Sequence, residues 1–220
     1  METANEIVQL KARLLGISPM IWRRVLVPAS TTLRELHGIL QVAMGWDGIH
    51  LFAFDIHAVQ YGSFELCAFS PDISLERFEL GKNARFSYVY DMNDHWAHEV
   101  RIEGFSAVDP KKSYPVCIGG SGACPPEECG GPHGYLECRD EVGSYDAWRD
   151  FGVMVEWLDD VIQKNVANLT VRDALTEDAQ GAIERIVARE PFVSSKFSRK
   201  PVNQAFRDGR HRDLMRQQLA

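Results

Sequence analysis

Apolar and polar positions alternate twice near the start of the chain. From Ile7 to Leu15, Val8, Leu10, Ala12 and Leu14 share one phase and Gln9 and Lys11 the other, which predicts a strand with one buried face. Gly16-Ile17-Ser18-Pro19 has turn composition, and Ile21-Trp22-Arg23-Arg24-Val25-Leu26-Val27 reads as the returning strand, stopped by Pro28. The period then changes. Leu33, Leu36, Ile39, Leu40, Ala43 and Met44 recur at helical spacing and predict a helix over Thr32 to Met44, laying one stripe on a sheet. Thr32 and Glu35 stand at capping-box spacing, and Gly45 suits the left-handed residue that closes a helix. Further strands are expected over Ile49 to His57, Arg85 to Tyr90 and Trp96 to Phe105, with an acidic irregular stretch from Gly62 to Asn83. Past Ser144 the pattern is helical, over Tyr145 to Ile162 and Ala174 to Ala188.

This order predicts an α+β fold: a β-hairpin, a packed helix and further antiparallel or mixed strands, in the sequence of a β-grasp, followed by a helical C-terminal annex. The expected organisation is one domain over residues 1–160 and a helical extension over 161–220, packed on it and ending in a basic tail. At 220 residues the chain is long for one domain and short for two.

Composition narrows the function. No apolar run approaches the ~20 residues of a membrane-spanning helix. The acidic, polar start lacks the features of a signal peptide, so a cytosolic protein is expected. The five cysteines, an odd number, then read as thiols or metal ligands rather than a disulfide framework. The net charge of −7 disfavours general nucleic-acid binding, but it is unevenly spread. Residues 196–220 hold seven basic side chains against Asp208 and Asp213, and the rest of the chain is strongly acidic. That tail fits a solvated helical face, a contact with its own body or a partner, or nucleic acid.

Two stretches carry candidate chemistry. In Tyr88 to Glu99, Asp91 to Asp94 forms a turn, and strand alternation places Trp96, His98, Val100 and Ile102 on one face. His98 beside the turn aspartates could be a base or a metal ligand, or a hydrogen-bonded core histidine. The second stretch, Cys117 to Tyr135, holds six glycines and three prolines, a composition foreign to helix or sheet. Such a loop needs packing, a ligand or a metal to order it. Zinc suits Cys/His sets, yet the intervals here of six, four and eight residues, out to Cys138, contain no CxxC. Walker, dinucleotide, GxSxG and HExxH signatures are missing as well. The catalytic candidates are therefore Asp91, Asp94, His98 and Glu127. Tyr90, Trp96, His98 and Tyr135 are the ligand-binding candidates. Cys117, Cys124, Cys129, His98 and His133 are the metal candidates, with zinc as the ion. The loop is expected to be ordered over the Asp91–His98 hairpin, with Glu127 or the thiols lining a pocket shared with His98.

Together these segments resemble the plasmid pRiA4b ORF-3-like proteins, a family also known as insertion-element passengers. The resemblance rests on Ile21-Trp22-Arg23-Arg24-Val25, Thr32-Leu33-Arg34-Glu35-Leu36-His37, Ala43-Met44-Gly45-Trp46 and His50-Leu51-Phe52-Ala53-Phe54. It continues through Tyr88 to His98, where Met92-Asn93 replaces Phe-Gly, and Cys117 to Tyr135, where Glu128 replaces Asp. It spans about residues 5 to 160 and touches Phe197 to Phe206, leaving Val166 to Val193 as a less similar insertion. The resemblance implies a bacterial or archaeal protein associated with mobile elements, and it brings no activity, cofactor or catalytic residue. Three functions follow as expectations. The first is a non-catalytic module binding a small molecule or protein partner. The alternatives are a zinc-type hydrolase at the Cys/His/Asp site, and a nucleic-acid accessory acting through residues 196–220.

Overall fold

Strands β1 (Glu6–Leu14) and β2 (Trp22–Pro28) pair antiparallel as their alternation requires, Val8 opposite Val27 and Leu10 opposite Val25. The computed structural model describes residues 6–163, 175–193 and 196–217. Around the hairpin a seven-stranded sheet assembles in the order β4-β3-β5-β6-β1-β2-β7. Its other members are β3 (Phe52–Ile56), β4 (Val59–Gly62), β5 (Arg85–Tyr90), β6 (Trp96–Ala107) and β7 (Val116–Ser121). Each of the six ladders is antiparallel, so of the two expected pairings the mixed one is not taken. Two strands were not anticipated: β4, and β7, which runs through the glycines at 119 and 120.

The chain divides into two compact units, residues 1–132 with 194–220, and residues 133–193. The basic tail falls in the same unit as the sheet.

In the first unit, α1 (Leu33–Met44) starts on the expected capping box and stops at Gly45, whose φ is 95°. Leu33, Leu36, Ile39, Leu40, Ala43 and Met44 are buried as their spacing predicts, but so are Gly38 and Val42. The reason is a second layer. α5 (Arg199–Arg207) and α6 (Arg210–Gln217) come from the tail, and α6 crosses α1 at Gly38, where a Cβ would lie 2.2 Å from the His211 carbonyl oxygen. Phe206, His211 and Leu214 are buried while Arg199, Lys200, Arg207 and Arg212 stay exposed. The helix α1 thus lies in the core rather than on the surface. Leucines buried this fully are worth ~1.5–3 kcal/mol each. β7 is an edge strand, and Asn203 of α5 covers it: the Asn203 amide accepts from Cys117 N at 2.7 Å and donates to Cys117 O at 2.9 Å. A side-chain amide here occupies the place another strand would take, which blunts the edge.

The second unit contains most of α2 (Gly131–Glu141), with α3 (Tyr145–Gln163) and α4 (Glu177–Arg189). The expected start of the last helix at Ala174 lies outside the described residues. α3 meets α4 through Ala147, Ala179 and Ala182, small enough for close approach, and through Asp150, whose carboxylate takes Arg185 at 2.7 Å and Arg189 at 2.5 Å. Tyr145, Trp148, Phe151, Val155, Leu158 and Ile162 of α3 are exposed.

Candidate functional site

Strand β6 delivers its even-numbered side chains to the core face, and Trp96, His98, Val100 and Ile102 are all buried there. Beneath α1 they meet a polar cluster built on Tyr88. Gln41 Nε2 donates to the Tyr88 hydroxyl at 2.7 Å, and His37 Nδ1 shares a hydrogen bond with the same hydroxyl at 2.8 Å. His37 stacks on Phe52 with centroids 3.9 Å apart. His98 Nδ1 donates to the Tyr88 carbonyl at 3.3 Å, and its ring meets Trp46 edge-on at 5.5 Å. Burial pushes His98 down to about 4 and His37 to about 3, and drives the Tyr88 phenol well up. All three are neutral at physiological pH. Among the described residues His37 Nε2, Gln41 Oε1 and His98 Nε2 have no hydrogen-bond partner, although each is fully buried. The cluster is polar, uncharged and closed.

The glycine- and proline-rich loop packs over this hairpin through Glu127. Its carboxylate accepts from the Tyr90 hydroxyl in a very short bond and from Asp47 N at 2.8 Å. Its carbonyl accepts from Trp96 Nε1 at 3.1 Å, and the Pro125 carbonyl accepts from Trp46 Nε1 at 2.9 Å. Burial and then the Glu127 carboxylate raise the Tyr90 phenol far above its ordinary value. Asp94 Oδ2 takes Gly130 N at 3.0 Å. Asp91, at φ 57°, is 3 % exposed and accepts from Asn93 N at 2.9 Å, shaping the turn. Glu127 and Asp94, both expected to do chemistry, thus fasten the loop, while Asp91 shapes the turn.

Beside Trp46 the molecule opens. A cavity of about 360 Å³ lies among the end of α1, Ala123 and Cys124 of the loop, and α5 with the preceding Phe197. Arg23 lines it and is only 2 % exposed. Its Nε donates to Ala43 O at 2.8 Å, and Nη1 donates to Trp22 O at 2.9 Å and Ser121 O at 3.0 Å. The guanidinium lies over the Phe197 ring, 4.1 Å from the centroid. Phe197 in turn sits where β7 has Gly120, since a Cβ there would come within 2.5 Å of the ring. No carboxylate forms a salt bridge with Arg23 among the described residues. The thiols that would support its charge are Cys124 and Cys117, and burial raises both, Cys124 to about 12. Both therefore hold their protons at neutral pH.

The description "plasmid pRiA4b ORF-3-like protein" matches residues 6–170, three quarters of the chain. This chain belongs to that family. Within it, the uncharacterized protein y4hQ of Sinorhizobium fredii (strain NBRC 101917 / NGR234) is 37% identical over 138 residues, covering 60% of this chain and 70% of y4hQ. The crystal structure of a protein of unknown function, MM3350 from Methanosarcina mazei Go1, is similar at a TM-score of 0.59 and 29% identity, over 64% of this chain and 83% of that one.

In this pRiA4b ORF-3-like protein the ligand-binding candidates Tyr90, Trp96 and His98 come together, while Tyr135 packs against Phe192 in the second unit. His133 also lies in that unit, exposed and 3.4 Å from Glu137. Among the described residues no three His, Cys, Asp or Glu side chains gather as a metal cage. No disulfide links the five cysteines. His98 has no hydrogen bond to Asp94, Glu127 or a thiol. Loop and histidine meet at Trp46, whose ring packs against His98 and whose Nε1 donates to the Pro125 carbonyl. Arg23 is the residue that motif-based reading missed. Its signal was present: in β2 it shares the phase of Ile21, Val25 and Val27, so the strand carries a charge on its buried face.

Proposed function

We propose that this protein is a non-catalytic binding module whose ligand enters the cavity beside Trp46. The observation that carries this reading is that cavity, within the ordinary size range of small-molecule sites, with a fixed guanidinium in an otherwise largely apolar wall. The groups expected to act as acid, base or metal ligand support it from the other side. His98 is enclosed, Cys117 and Cys124 keep their protons, and Asp91, Asp94 and Glu127 are engaged in holding the turn and the loop. The plasmid in the family's name supports a role among mobile-element-associated proteins. The unbridged cysteines support a reducing, cytoplasmic setting.

Thermal-shift screening of a neutral and charged small-molecule collection tests the reading on the full chain. Ala205 lines the cavity, so Ala205→Phe fills it. Ligands should raise the melting temperature of the natural protein and leave the Ala205→Phe protein unmoved. Stabilisation of both proteins by the same compounds, or of neither by any compound, would place binding elsewhere and sink the proposal.

A further inference from the structure

The chemistry of Arg23 says what the cavity should hold. A guanidinium has five N–H donors in a planar fork and stays protonated in proteins. Three of the five are spent on the carbonyls of Ala43, Trp22 and Ser121, which with the Phe197 ring fix its plane. The two on Nη2 have no partner among the described residues. Charge is unmatched as well as hydrogen bonding. Ala43 lies in the last turn of α1, whose dipole supplies roughly half a negative charge. No carboxylate supplies the rest. Arg210, on the same cavity, is already bonded to Asp47 at 2.6 Å. Ser198 and Pro201 put the N-terminal, positive end of α5 on the cavity wall too. A buried cation left without a counter-charge is costly, and burial already lowers the affinity of Arg23 for its proton.

We propose that the cavity binds an oxyanion, a carboxylate or a phosphate, through Arg23 Nη2, with the rest of the ligand against Val42, Met44, Val202 and Ala205. The inference rests on the binding-module reading and adds the class of ligand. A carboxylate or phosphate oxygen can accept a charge-assisted hydrogen bond from Nη2, the one nitrogen of the fork that the carbonyls leave open. The apolar side chains suit an aliphatic or aromatic body and not a second charge. The phenylalanine and the arginine come from opposite ends of the chain, and Gly120 of β7 lets them stack.

Calorimetric titration of the full chain with hexanoate, hexanol and inorganic phosphate at fixed ionic strength tests this. Hexanoate should bind about tenfold to a hundredfold more tightly than hexanol, the worth of a charge-assisted hydrogen bond. Ala205→Phe should remove that binding, and Arg23→Met should erase the preference for the acid. Phosphate binding alongside or in place of hexanoate identifies a phosphoryl group as the source of the anion and supports the class. Equal binding of acid and alcohol, both lost in Ala205→Phe, overturns the oxyanion and leaves the binding module standing. If none of the three probes binds, the oxyanion is overturned, and the module is judged by the wider screen. Should Arg23→Met not fold, the acid–alcohol pair and Ala205→Phe decide the matter on folded protein.

Discussion

The groups around Tyr88 and the group at Arg23 share Trp46 as a neighbour and solve the same problem differently. Both bury polar side chains almost completely. Around Tyr88 the solution is neutrality: His37 and His98 give up their protons, and a chain of hydrogen bonds runs from Gln41 through Tyr88 to His37. Arg23 cannot do so, because a guanidinium does not deprotonate, and so it is wrapped in carbonyls and an aromatic face with one nitrogen left over. A histidine beneath a sheet can be silent structure. An arginine there keeps its charge and calls for an anion. The sequence pattern drew attention to the histidine, while the arginine stood in a motif to which no chemistry was attached.

Acid breaks the comparison most strongly. Above pH 6.5 His37 and His98 are neutral in the folded and unfolded chain alike and affect stability little. Below it the unfolded chain takes up protons that the folded one refuses, so stability is lost as pH falls. Each histidine contributes about 1.4 kcal/mol per pH unit, down to about 4 for His98 and about 3 for His37. Urea denaturation between pH 7 and 5 measures the slope, and His98→Phe should lower it by one proton. An unchanged slope in that variant would mean that His98 is solvated and the cluster is open.

The next effect belongs to the loop between the two regions. Glu127→Ala removes the acceptor of the Tyr90 hydroxyl and of Asp47 N, at a cost of ~1.5–3 kcal/mol. Amide exchange should quicken over residues 123–130 and stay slow in β5 and β6. Exchange that quickens equally in all of them would show that the loop and the sheet open as one.

The smallest change is confined to the cavity. Gly120→Ala sets a methyl against Phe197 and should cost ~1–3 kcal/mol, with α5 displaced from β7. It should weaken ligand binding while leaving the acid slope of His37 and His98 intact. Altered histidine behaviour would instead join the two regions into one cooperative unit.

Several features were legible in the chain itself, because they are set by residues a few positions apart. The strand phases, the Thr32–Glu35 cap and Gly45 are local events, and each appears where its spacing put it. The burial of His98 was legible for the same reason, as the face of a strand is fixed by parity. Its role was not, since that depended on which atoms closed over it. The loop misled through composition. Glycine is unfavourable within a strand, yet Gly120 is admitted to β7 because Phe197, more than seventy residues away, needs the space. The tail fits the solvated helical face expected of it, with Arg199, Lys200, Arg207 and Arg212 toward solvent, while Phe206 and Leu214 bury against the body. Sequence alone determined the first hairpin, α1, β3, β5, β6 and α3, the inward faces of the hairpin, α1 and β6, and the family. Only the tertiary structure decided that Glu127 is a clasp, that α1 is enclosed on both sides and that Arg23 meets a cavity without a carboxylate. Each of those depends on contacts between distant segments, and periodicity carries no information about which distant segment arrives.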